Sequence, residues 1–126
     1  MAHLGLSRIV RAAAFVAVSA SLTAGQTYGA TAYDGRWAVT VTPEGGECEG
    51  MYVLPVEVAG GRVTYIGRAA ITAEGGIGPD GTVRVAFVIE GDRLDAKGTM
   101  NTAHFGAGSW VSPTEDCRGT WIARKR

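Results

Sequence analysis

The chain is poor in the residues that most chemistry needs. It has two histidines, two cysteines and four prolines in 126 residues. It also lacks net charge, with 12 Lys and Arg against 12 Asp and Glu. Balanced charge removes the electrostatic case for nucleic acid. At 46% apolar and 19% charged, the composition is too apolar for a disordered chain. The 19 glycines show no three-residue period, which excludes a collagen. The length is too short for two ordinary domains.

What is present begins with an address. Met1 to Arg11 carries two positive charges, Arg8 and Arg11, and Ala12 to Ala24 is uncharged and rich in Ala and Val. A basic start, a short apolar run and then small residues form the pattern of a secretory signal peptide. The run is shorter than the roughly 20 residues of a permanent membrane span. Ala30-Thr31-Ala32 offers a cleavage site, so the expected parts are a leader over 1–32 and one domain over 33–126. A cut after Ala24 is the alternative, and an uncleaved anchor is the bland one. The expected location is the periplasm or the medium, with no stable membrane span once the leader is gone. Cleavage after Ala32 removes two basic residues and no acid, which leaves a net charge of −2.

Cys48 and Cys117 both survive that cut. An even count in an exported chain points to one disulfide. Closing a loop of about 70 residues is worth about 4 kcal/mol in the chain-entropy model. That matters for a small domain with a marginal core. Free thiols are the alternative; a metal site lacks a second Cys or His at ligand spacing.

From residue 33 on, large apolar residues alternate with polar ones. Trp37, Val39 and Val41 share one parity, as do Tyr52, Leu54, Val56 and Val58, and then Val83, Val85, Phe87 and Ile89. This is the period of half-buried strands. Turn signals recur at Pro43-Glu44-Gly45-Gly46, Gly60-Gly61, Pro79-Asp80-Gly81, Gly91-Asp92 and Asn101-Thr102-Ala103. They predict about eight strands, at 35–42, 50–58, 62–67, 69–77, 82–90, 93–100, 105–112 and 117–124. Short connections make neighbours antiparallel, so the expected fold is an all-β up-and-down meander. Closure into a small barrel removes its edges, and a flattened β-sandwich is the alternative. The expected inward set is Trp37, Val39, Val41, Leu54, Val56, Val83, Val85, Phe87, Leu94 and Trp121. It fits a packed core or a small greasy pocket.

Three Gly-x-Trp triplets recur, ending at Trp37, Trp110 and Trp121. The first opens a strand and a basic residue, Arg124, closes the last. In this the chain resembles the calycins, the lipocalins and avidins. The resemblance implies that Trp37 and Trp121 plug the barrel and that Arg124 packs over an indole ring. The chain also resembles a group of small exported proteins of Gram-negative bacteria. They share Tyr33-Asp34-Gly35-Arg36-Trp37, an early Cys, Gly-x-Val strand openings and Cys117-Arg118-Gly119-Thr120-Trp121 before basic residues. That resemblance implies export and a β-rich domain. Some members bear labels of haem utilisation or adhesion.

Candidate chemistry is sparse. His104, Met100 and Met51 are nominal haem ligands, against a solvated His and two core or rim Met. Ser109 and Ser112 lie near His104 in sequence but form no nucleophile motif. A Cys48–Cys117 bond would join two acidic segments, Glu44, Glu47 and Glu49 with Glu115 and Asp116. Such a patch suits a calcium ion or a basic partner, against a solvated acidic rim. The Arg124-Lys125-Arg126 end reads as a solvated tail.

The sequence therefore points to a non-enzymatic exported domain that binds a protein partner, with no cofactor. Small periplasmic barrels that inhibit proteases or lysozyme resemble it in size, strand number and single disulfide. Trp110 is the candidate contact, because Gly106 and Gly108 beside it leave its ring unshielded. A calycin-like carrier of a small apolar ligand is the alternative. An enzyme is the third, and no nucleophile, base and orienter assemble for it.

Overall fold

The structure, a computed structural model, describes residues 30–126. The expected leader falls almost wholly outside them, as does the alternative cut after Ala24. Eight antiparallel strands follow in order and close on themselves, each bonded to its sequence neighbours and β1 to β8. They are β1 (Gly35–Gly46), β2 (Tyr52–Ala59), β3 (Arg62–Tyr65), β4 (Ile71–Ile77), β5 (Thr82–Ile89), β6 (Asp92–Thr102), β7 (Phe105–Ser112) and β8 (Cys117–Lys125). The fold is a small closed barrel, and the sandwich is not adopted.

Two boundaries differ in an informative way. Pro43 to Gly46 does not end β1. The strand runs on through a bulge between Pro43 and Gly45 and pairs there with β8 alone. Past Val41, which pairs with Tyr52, β1 has no β2 partner, so Pro43 costs no ladder bond on that side. The β5–β6 turn is Glu90-Gly91, one residue earlier than Gly91-Asp92, since Ile89 pairs with Asp92.

The alternation sets the core. Trp37, Val41, Leu54, Val56, Val83, Val85, Phe87, Leu94 and Trp121 are buried, and Val39 is half-buried against them. Val58, Val63, Met100, Trp110, Cys117 and Ala123 join the core on the same parity. The indoles need room, and glycine on neighbouring strands provides it. Trp110 is the cross-strand partner of Gly119, and Trp121 of Gly108. Both indole N–H groups are satisfied, Trp110 Nε1 donating to Thr120 O at 3.0 Å and Trp121 Nε1 to Lys97 O at 3.1 Å.

One end of the barrel is shut by the Tyr33-Asp34-Gly35-Arg36-Trp37 segment. Trp37 Nε1 donates to Tyr33 O at 2.8 Å. The Asp34 carboxylate accepts from Gly60 N at 3.1 Å and from Thr31 Oγ1 at 2.6 Å. The motif ties the chain ahead of β1 to the β2–β3 turn. At the seam between β3 and β4 the ladder is thin. Arg62 pairs with Gly76, and Ile77 N donates to Gly61 O at 2.7 Å.

Candidate functional site

The other end carries the β1–β2, β3–β4, β5–β6 and β7–β8 connections. Cys48 and Cys117 are bonded there, with their Cα atoms 5.5 Å apart. Such a bond is compatible with an exported protein. It ties the β1–β2 loop to the start of β8, and Glu47 N donates to Asp116 O across the same junction. A second tie joins the β7–β8 turn to the β5–β6 turn. Thr114 Oγ1 donates to Asp92 Oδ1 at 3.1 Å and accepts from Arg93 N at 2.9 Å. These loops are held in place rather than left to order on binding.

All five expected acids, Glu44, Glu47, Glu49, Glu115 and Asp116, are exposed at this end. Glu44 spends an oxygen on Thr120 Oγ1, at 3.0 Å. Glu90 of the β5–β6 turn and Asp92, which opens β6, stand at the same end, where the alternate connections of an up-and-down meander meet. Among the described residues, no three His, Cys, Asp or Glu side chains are placed to hold a metal ion. The nominal haem ligands are also not brought together. Met51 is exposed in the β1–β2 loop, Met100 is buried, and His104 is exposed in the β6–β7 turn at the opposite end.

Two expected contacts are corrected. Trp110 is not an exposed contact; it is 3% exposed. Gly108 and Gly106 are two and four residues away, so they share its inward face. They leave space inside the barrel, which Trp121 fills at Gly108 and Met100 fills at Gly106, instead of baring Trp110 to solvent. Nor does Arg124 cover a plugging indole. Its guanidinium lies 5.1 Å from the Phe105 ring centroid, while Lys125 Nζ lies 5.8 Å from that of Trp37.

The exposed apolar surface is concentrated. Among the described residues, the large apolar residues left exposed are Met51, Tyr52, Val53, Ile66, Val88 and Val111. Met51 and Tyr52 lead into β2 and Val53 is its second residue. Ile66 follows β3, and Val88 and Val111 stand one residue before the ends of β5 and β7. All six lie in the half of the barrel that carries the disulfide. Met51 is 65% exposed, Val53 57% and Val111 51%. The sequence did carry a signal for three of them: Val53, Val88 and Val111 occupy the polar parity of their strands.

Inside the barrel a wholly apolar cavity of about 50 Å³ remains, bordered by Trp37, Phe87, Trp110 and Trp121. A hollow of about 180 Å³ lies at the disulfide end, between Tyr52, Ile89, Glu90, Leu94 and Glu115.

No family model matches the chain, and no curated protein matches it. Among solved structures, a redesigned beta barrel is similar at 14% identity and a TM-score of 0.55. The match covers 82% of this chain and 99% of that one. At that identity the likeness shows the fold alone. A second redesigned beta barrel, mFAP1, bound to DFHBI, matches at 14% identity and a TM-score of 0.44. It covers 75% of this chain and 95% of that one.

Proposed function

We propose that the protein is an exported, non-catalytic barrel that binds a partner protein through its disulfide-bearing end, in the manner of an inhibitor. The observation that carries this reading is that the six exposed large apolar side chains of the described residues all lie in that half of the barrel. Apolar surface beside charged loops has the make-up of an interface centre and its rim. The disulfide and the Thr114 bonds hold the loops before binding, which lowers the entropy cost of association. Acids predominate in these loops, so the matching partner presents an apolar protrusion flanked by Lys and Arg.

The carrier reading has less support. Drug-sized ligand pockets run to roughly 300 Å³ or more, and the interior holds about 50 Å³. Against a serine enzyme, His104 precedes β7 and Ser112 ends it, at opposite ends of the barrel.

Photo-crosslinking tests the proposal. A crosslinking residue placed at Val53 or at Val111 is expected to trap the same protein in exporting cells, and one at Thr82 none. The purified partner then binds directly, more weakly at high salt and more weakly still to V88D. Equal trapping from Val53 and Thr82, or direct binding that V88D leaves unchanged, would overturn the reading.

A further inference from the structure

The outer wall of β4 to β7 carries a feature independent of the loop end. Arg84 of β5 and Lys97 of β6 are direct cross-strand partners, both exposed. Opposed residues on one face of an antiparallel pair have Cβ atoms about 5 Å apart, and like charges placed so destabilise the sheet. Among the described residues neither side chain has an ion pair or a hydrogen bond. The neighbouring carboxylates do not answer them. Asp95 is taken by Arg93 at 2.6 Å, and Glu74 stands opposite Ala86.

The surroundings are low. Arg84 is flanked on its other side by Gly76, and Lys97 by Ser109. Two hollows result, of about 650 Å³ and about 490 Å³, and Arg84, Lys97 and Ser109 border both; Glu74 and Asp95 also border the larger, while no carboxylate borders the smaller, which is the recess that suits an anion. Two unanswered cations thus stand side by side in a recess, with a hydroxyl beside them.

We propose that Arg84 and Lys97, with Ser109, bind a phosphate monoester on the outside of the barrel. Such a group carries about −1.5 to −2 at neutral pH, which balances the pair, and offers three acceptor oxygens. The Arg84 guanidinium can take two of them as a fork, and Lys97 supplies a point charge. A carboxylate would leave one of the two cations unanswered. The bound group offsets the repulsion that the register places between Arg84 and Lys97.

The probe is phenyl phosphate, titrated at constant ionic strength and followed by amide NMR. Saturable shifts are expected around Arg84, Lys97 and Ser109. R84Q weakens binding by about tenfold or more, the loss of one charge-assisted contact. K97E places a carboxylate opposite Arg84. It abolishes binding and melts at a higher temperature than the unliganded parent, because attraction replaces repulsion. Phosphatidylcholine vesicles with and without phosphatidic acid separate the sources of the group. Lys97-dependent sedimentation with phosphatidic acid assigns it to a lipid, and phenyl phosphate binding without sedimentation assigns it to a soluble ligand. Shifts that sodium chloride reproduces, shifts centred on Arg124 to Arg126, no binding in either arm, or a K97E protein that melts lower each overturn the proposal.

Discussion

Trp121 rests against Gly108: a Cβ on Gly108 would stand 2.8 Å from Trp121 Cε2. One on Gly98 would stand 2.7 Å from Trp121 Cζ2. The indole therefore fits only because two strands carry no side chain under it. Gly108→Ala is expected to destabilise the barrel by about 1–3 kcal/mol, the usual cost of overpacking. At about 4–8 °C per kcal/mol for a domain of this size, a melting curve resolves it. The same Cβ would also press on Lys97 O and Gly98 Cα of β6, so an unchanged melting temperature would mean that both the indole and the β6 backbone give way.

The Glu90-Gly91 turn predicts the opposite sign. Glu90 has φ of 53° and Gly91 of 87°. A two-residue hairpin turn of this kind needs positive φ at both positions, and Asn-Gly meets that need with less strain than Glu-Gly. Glu90→Asn is expected to stabilise the protein by about 0.5–1 kcal/mol, read as a higher denaturation midpoint. A lower midpoint would show that the carboxylate contributes more than the backbone strain costs.

The disulfide spans 69 residues of sequence. The chain-entropy model assigns such a loop about 4 kcal/mol. The double variant C48S/C117S is expected to lose most of that in urea unfolding. It should also show faster amide exchange over residues 47–51, which the bond ties to β8. A loss below about 1 kcal/mol would place the stabilisation elsewhere and argue against the entropic account.

Asp34 links acid stability to the chain's starting point. Its carboxyl is held down to about 2, first by the Thr31 hydroxyl and then by the Gly60 N–H. A carboxyl whose pKa is lowered on folding contributes stability above its unfolded pKa, here near 3.8, and loses it as pH falls toward 2. A cut after Ala32 removes Thr31, and a cut after Ala24 keeps it. A chain beginning at Gly25 is therefore expected to hold its structure to lower pH than one beginning at Tyr33. D34N should erase the difference. Identical acid unfolding of the two chains would show that Thr31 is not needed at that carboxylate.

The barrel was legible because a period of two survives in nearly every strand and the connections are short. The same period already held the corrections. Lys125 is four residues from Trp121 and shares its face, while Arg124 must point away, so Lys125 is the cation over Trp37. Likewise Trp110 shares its face with Gly106 and Gly108 and belongs inside. Both errors came from reading nearness along the chain where parity decides. The acidic cluster around Cys48 and Cys117 was readable because a covalent bond fixes its geometry. Glu90 and Asp92 belong to the same end by strand count alone, since alternate connections of a meander share an end, but no covalent bond drew attention to them. The Arg84–Lys97 opposition was hidden, since it depends on the register of β5 with β6 rather than on either strand alone.

The barrel is a hoop with a clasp. Every strand but two is sewn to its neighbours over several consecutive residues, whereas β3 and β4 meet at Arg62 and Gly76. A closed sheet has no free edge, so it opens by parting somewhere along its circumference. The amides of Val63 to Tyr65 should therefore exchange with solvent by small local openings rather than by global unfolding. Such an opening would bare the greasy interior sideways, through the wall, while the Tyr33–Trp37 end stays shut.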